Sequence, residues 1–268
     1  MSPLRIAVIG RQNSYLYLAS KKAIPQSTIA IEKSAMNRAL SSRSITDFRV
    51  LMIDTHPLCP TADSIRSALH GLADRLAKLG CRVLPESPRL PDLARTTHTY
   101  GELLAAVYSL DLSPDDRARI DAAAKALSPE DQSLAAYRLR GITANHAEWI
   151  RASRVRGALR GQWFNLFREV DIVLCPPMPS LAFPHDHSPQ GRRQLDIDGS
   201  KIPYNDQIAW AGIATLNGLP ATTMPNGRSE SGLPIGVQII GGYLEDRTTI
   251  AFAGLIEREL GGFIPPPI

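Results

Sequence analysis

Apolar residues recur with two different periods along this chain, and the switches between them mark out its elements. Ile65, Leu69, Leu72, Leu76 and Leu79 step by 4, 3, 4 and 3, the spacing of one buried helical stripe. Gly80 follows as a left-handed stop, and Thr61 or Asp63 is placed to cap the start. Short β-type runs at 49–54 and 81–85 flank this helix. Residues 49–86 therefore read as strand, helix, strand, a unit that joins parallel strands through a right-handed crossover.

From 96 to 170 the pattern is helical. Ser113-Pro-Asp-Asp and Ser128-Pro-Glu-Asp are two near-copies of a start signal, with a serine cap, proline at the first helical position and acids at the positive end of the dipole. They predict one helix near 114–126 and another from 129 to about 140. A third, about 144–170, carries Trp149, Trp163, Phe164 and Phe167, which read as core. Residues 171–177 form a buried strand. The stretch 178–203 holds Pro179, Pro184, Pro189, Gly191, Gly199 and Pro203, so it reads as a long loop of the kind that carries function. Residues 204–216 read as a helix. In 217–242 two apolar runs are each entered through Gly-Leu-Pro, with Asn226-Gly227 and Ser229–Gly232 as the polar link between them. That is strand, turn, strand, with Gln238 in the second strand needing a hydrogen-bond partner. The last helix starts after Asp246 and stops at Gly261-Gly262.

Residues 1–47 do not follow these patterns. Residues 4–10 predict a strand ending in a glycine, but no Gly-x-Gly-x-x-Gly follows, which excludes a dinucleotide site. Residues 34–44 read as loosely structured. The chain thus divides into an N-terminal segment of unclear structure, 1–47, and a main region, 48–268. The fold class is α/β, with a partial mixed β-sheet flanked by helices.

Composition narrows the function classes. The net charge of +4 over 268 residues comes from dispersed basic residues. The densest cluster, Arg151, Arg154, Arg156 and Arg160, reads as the solvated face of a helix, so no nucleic-acid partner is expected. No run approaches a membrane span, and the N-terminal apolar run is too short for a secretory leader. Cys59, Cys81 and Cys175 are odd in number and unclustered, which predicts neither a disulfide framework nor a zinc site and fits the cytoplasm. His185-Asp186-His187 is the one cluster with a metal-like look, but beyond Asp196 or His146 it lacks a third ligand. No metal and no cofactor are expected.

The series Asn217-Gly-Leu-Pro-Ala, Met224-Pro-Asn-Gly and Gly232-Leu-Pro-Ile-Gly-Val-Gln-Ile-Ile-Gly, followed by Asp246 and a helix containing Glu257, resembles the C-terminal block of the amidase signature family. The apolar stretch from Asp171 to the prolines at 176–177 is also similar to that family. The resemblance covers about 48–268 and implies a hydrolase that converts carboxamides to carboxylate and ammonia. It also implies that Met178, Tyr204 and Trp210 contact substrate, with core packing as the alternative for each.

That chemistry needs a nucleophile, a base and oxyanion donors. The family supplies them with two serines and a lysine in a Gly-Gly-Ser-Ser-Gly-Gly-Ser type segment. No such segment occurs in these residues, so no catalytic residue is assigned. Ser20, Lys21, Lys22, Ser27, Lys33 and Ser34 are the right residue types but lack the glycines that bring backbone amides to an oxyanion. The expectation is a truncated amidase without its own nucleophile. The alternative is a non-catalytic protein that keeps the pocket wall to bind a small amide or acid. Removal of a catalytic layer predicts exposed apolar surface and marginal stability, with self-pairing or pairing with a catalytic chain.

Overall fold

The computed structural model describes the backbone of Ala7–Val8 and residues 43–265. In chain order the elements are β1 (Ala7–Val8), β2 (Arg49–Met52), α1 (Asp63–Lys78), β3 (Arg82–Leu84), α2 (Leu93–Tyr108), α3 (Pro114–Lys125), α4 (Leu134–Thr143) and α5 (His146–Leu166). There follow β4 (Ile172–Cys175), β5 (Gln194–Ile197), β6 (Ser200–Pro203), α6 (Ile208–Asn217), β7 (Ala221–Arg228), β8 (Pro234–Gly241) and α7 (Asp246–Leu260). Among the described residues, six strands form one sheet in the order β1-β7-β8-β4-β2-β3, and β5 and β6 form a separate hairpin. The β2–β3 and β2–β4 pairs are parallel, while β4–β8, β7–β8 and β1–β7 are antiparallel. The sheet is mixed, as expected.

Strand alternation divides the core into two layers. Val50 and Met52 of β2, Ile172 and Leu174 of β4, and Val237 and Ile239 of β8 pack with α1 and α7. Leu51, Ile53, Val173, Cys175 and Ile240 face the other way, onto Leu93, Trp163, Leu166, Trp210 and Ile213 from α2, α5 and α6. The α1 stripe is buried as its spacing predicted, through Ile65, Leu69, Leu72 and Leu76, and Gly80 ends it with φ +85°.

The start of β4 is pinned to the start of β2. Arg49 donates to Asp171 from its backbone N–H (2.9 Å) and from its Nε (3.1 Å), and Asp171 N–H returns a bond to the Arg49 carbonyl at 2.8 Å. Burial opposes ionisation of Asp171, but the Arg49 hydrogen bonds outweigh it and, with Arg43 close by, hold the carboxyl below its ordinary range. Ahead of β2, Ile45 is buried in the α1-side core.

Several local readings are corrected. Ser128-Pro-Glu-Asp forms a turn, and the helix starts at Ser133, whose side chain accepts from Ala136 N–H. The Arg140 guanidinium donates to the carbonyls of Ser128, Pro129 and Asp131, and the Ser128 carbonyl also accepts from Asp131 N–H at 3.1 Å, which closes the turn. Of the four aromatics read as core, Trp163 is fully buried and Phe167 packs against it, but Trp149 and Phe164 are 41% and 67% exposed. Neighbours on a helix point about 100° apart, so Trp163 and Phe164 cannot both face inward. Asn226-Gly227 lies within β7, where Gly227 takes φ +90° at a bulge. Asn226 bonds the Ala68 carbonyl and the Arg75 guanidinium on α1, and the turn itself lies at 229–233. Gln238 finds the Cys175 thiol, at 3.4 Å.

The loop leaving β2 is anchored by His56, which is 7% exposed. Its Nδ1 accepts from Leu58 N–H (3.1 Å), so the other ring nitrogen carries the proton and donates to Thr97 Oγ1 (3.0 Å). Burial, and then the neighbouring His98, push its pKa down to about 4, so the ring is neutral. Among the described residues no helix is long and apolar enough to cross a membrane.

Two stability measurements test this packing. A Cβ at 141 would overlap the Glu102 backbone, whereas one at 157 meets open space. Gly141→Ala is therefore expected to lower the denaturant-derived stability by about 1–3 kcal/mol, while Gly157→Ala leaves it unchanged or raises it by up to about 1 kcal/mol. For His56 the folded pKa is depressed, so the unfolded chain takes up the proton first. Stability is expected to fall by about 3 kcal/mol as pH drops from roughly 6.5 to 4 and to level off below. His56→Gln should flatten that part of the stability–pH curve.

Candidate functional site

The parallel strands β2 and β4 end side by side, and the loops that leave them build a cleft of about 320 Å³. Crevices at the carboxyl ends of such strands are where α/β sheets commonly bind ligands. One wall is the start of α1, with Ala62 and Ser64; the other is the loop after β4, with Leu181 and Phe183, closed by Leu195 and Tyr204. The Phe183 and Tyr204 rings meet edge to face, 6.1 Å apart at 85°.

Three contacts hold these loops together. Ala62 N–H donates to the Pro179 carbonyl at 2.8 Å. Trp210 Nε1 donates to Thr61 Oγ1 at 3.0 Å. Asp198 reaches across from the β5–β6 turn to accept from Asp63 N–H at 2.7 Å, capping α1 from a distant part of the chain. Asp198 and Gly199 both have positive φ (51° and 84°), which suits a two-residue hairpin turn. Leu195 and Ile197 seat the hairpin against Ala62 and Ile65.

Of the three residues expected to touch substrate, Tyr204 lines the cleft. Met178 lies on the loop after β4 and is 37% exposed. Trp210 is fully buried, beside His56, and acts on the cleft through Thr61. Reading 178–203 as one loop overlooked the β5–β6 hairpin and with it the cleft acids Asp196 and Asp198. The missed signal was Asp198-Gly199 between the alternating apolar residues Leu195, Ile197 and Ile202.

Burial holds the three thiols in their neutral form. Cys59, Cys81 and Cys175 are free and buried. Burial first, then Asp206, raises Cys59 to about 12; burial raises Cys175 to about 12, and burial with Asp171 raises Cys81 to about 11. His185 and His187 are exposed with rings 6.2 Å apart, and the described residues hold no group of three or more side chains able to take a metal. Of the four arginines read as a solvated face of α5, Arg151, Arg154 and Arg160 are exposed and Arg156 is half-buried. The serines and lysines between 20 and 34 lie outside the described residues, as does most of the segment read as loosely structured.

Comparison with known proteins agrees with this architecture. A glutamyl-tRNA(Gln) amidotransferase subunit from Gluconobacter oxydans is 32% identical over 113 residues, which is 42% of this chain and 21% of that protein. The solved structure of the corresponding Thermotoga maritima subunit superposes with a TM-score of 0.54 at 22% identity, over 80% of this chain and 43% of that one. A crystal structure of an amidase gives 0.56 at 22% identity, over 80% and 46%. These superpositions show a shared fold, and the chain spans less than half of each of these three proteins. A family model described as Amidase matches residues 15–250; with that match over most of its length, this chain belongs to the amidase family of hydrolases.

Proposed function

We propose that this chain forms one wall of the substrate pocket of an amidase, an enzyme that converts a carboxamide to a carboxylate and ammonia, and that the nucleophile comes from outside these residues. The observation that carries the reading is a cleft of about 320 Å³ between the start of α1, the loop after β4 and the β5–β6 hairpin, in a family member whose sequence has no Gly-Gly-Ser-Ser type segment. The buried, neutral thiols argue against cysteine as a substitute. The nucleophile then belongs to a longer form of the chain or to a separate chain. Pairing with another chain is in keeping with relatives that are named as subunits. Free cysteines fit a reducing compartment, and the cytoplasm is the proposed location. The lack of a nucleophile segment also favours a second reading, in which the cleft binds a small amide or acid without turning it over.

Ammonia release tests this. The purified chain alone is expected to show no hydrolysis of amides above background, and to gain it when combined with the N-terminal half of a relative that carries the Gly-Gly-Ser-Ser segment. Turnover by the chain alone that disappears in Lys21→Ala/Lys22→Ala would sink the proposal, because the nucleophile would then be its own.

A further inference from the structure

We propose that the β5–β6 hairpin is a gate on the cleft, lifting off α1 as one unit to admit a substrate between α1 and the loop after β4. What passes the gate rests on the pocket-wall reading; the motion rests on how the hairpin is seated.

The strands of the hairpin pair only with each other, Leu195 with Ile202 and Ile197 with Ser200, and not with the six-stranded sheet. A two-stranded hairpin by itself is marginal in water, so this one depends on its seat. Of the residues in its two strands only Leu195 and Ile197 are buried, and they rest on Ala62 and Ile65 in a small core apart from the two that cover the main sheet. Among the described residues, the one hydrogen bond from 194–203 to another element is the bond from Asp63 N–H to Asp198, at 2.7 Å. Leaving the seat therefore uncovers two apolar side chains and breaks one bond. Unfolding β4, buried throughout and bonded on both edges, empties both main cores, so the hairpin opens far more readily than the protein unfolds.

The two legs are clasped where they join the rest of the chain. Tyr204 N–H donates to the Arg193 carbonyl at 3.0 Å, and Gln190 Nε2 donates to Asn205 Oδ1 at 2.8 Å. These bonds keep the legs together when the tip lifts. Beyond the clasp the chain is fixed, since Gln207, Ala209 and Trp210 are buried. Gln194, Leu195, Asp196 and Asp198 of the hairpin line the cleft, whose volume of about 320 Å³ is at the small end for a ligand pocket. Lifting the tip removes that wall and uncovers Ala62, which is 6% exposed. Asp198 is the latch, holding the first N–H of α1 from a left-handed turn. Lids over sites are drawn from segments of low local stability, as this one is.

Hydrogen exchange of the intact chain and thiol labelling test the gate together. The ladder amides of β5 and β6 and the Asp63 amide are expected to share one protection factor, at least about a hundredfold lower than that of β4. Asp198→Gly removes the latch but suits the left-handed turn, and should speed their exchange by about five- to tenfold while leaving β4 and β8 unchanged. Asp198→Asn keeps an acceptor and should not. In Ala62→Cys, the aromatic disulfide dithiobis(nitrobenzoate) should label position 62 with the same acceleration by Asp198→Gly, while Cys59, in the core layer on the other face of the sheet, stays unlabelled. Hairpin amides as protected as those of β4, ladder amides that exchange independently of Asp63, equal acceleration by Asp198→Asn, or labelling of position 62 indifferent to Asp198→Gly overturns the proposal. None of these readouts needs turnover, so ammonia release by the reconstituted pair decides the pocket-wall reading separately.

Discussion

The fold depends on one strand that has no solvent face. Ile172, Val173, Leu174 and Cys175 of β4 are all fully buried, and both edges are bonded, to β2 in parallel and to β8 in antiparallel. A strand of this kind is stable only if helices cover both of its faces. The chain meets that demand with α1 and α7 on one side and α2, α5 and α6 on the other. Slipping β4 by one residue would exchange Ile172 and Leu174 with Val173 and Cys175 between two cores of different shape. The Arg49–Asp171 bonds act against that slip, since they are made at the first residue of β2 and the residue before β4.

The cleft follows from the same constraint. Where β2 and β4 end together, their loops have to leave the sheet in company, and each is short of partners until it meets the other. The bonds Ala62–Pro179, Thr61–Trp210 and Asp63–Asp198 provide those partners. Asp198 adopts a left-handed conformation that costs a residue with a Cβ on the order of 1 kcal/mol, and its cap on α1 offsets a cost of that size. The shape of the site is thus a by-product of satisfying backbone groups. Its chemistry comes from which side chains those turns happen to present, and that is why family membership alone does not choose a substrate.

Much of the architecture was legible along the chain. The α1 stripe, the Gly80 stop, the serine cap of α3 and the buried runs of β4 and β8 are local signals, and the structure keeps them. The family motifs around Gly218–Gly242 were equally plain. The site was only partly legible. Tyr204 lines the cleft, while Trp210, for which substrate contact and core packing were both open, is packed in the core and bonded to Thr61. The cleft acids were overlooked together with the hairpin that carries them.

What the sequence determined by itself was therefore periodicity, capping and membership of a family, because each depends on residues a few positions apart. Tertiary structure decided the use of groups that have more than one good option. Ser128-Pro-Glu-Asp is a sound helix start, yet it closes as a turn in which the Ser128 carbonyl accepts from both Asp131 N–H and Arg140. Asn226-Gly227 is a sound turn until α1 offers Asn226 better partners. Asp198 is an ordinary turn residue until the bare first N–H of α1 lies beside it. Local preferences of this kind are worth about a kilocalorie each, and a single hydrogen bond from another segment is worth as much, so the outcome is settled only when the chain has folded and the competing partners stand in place.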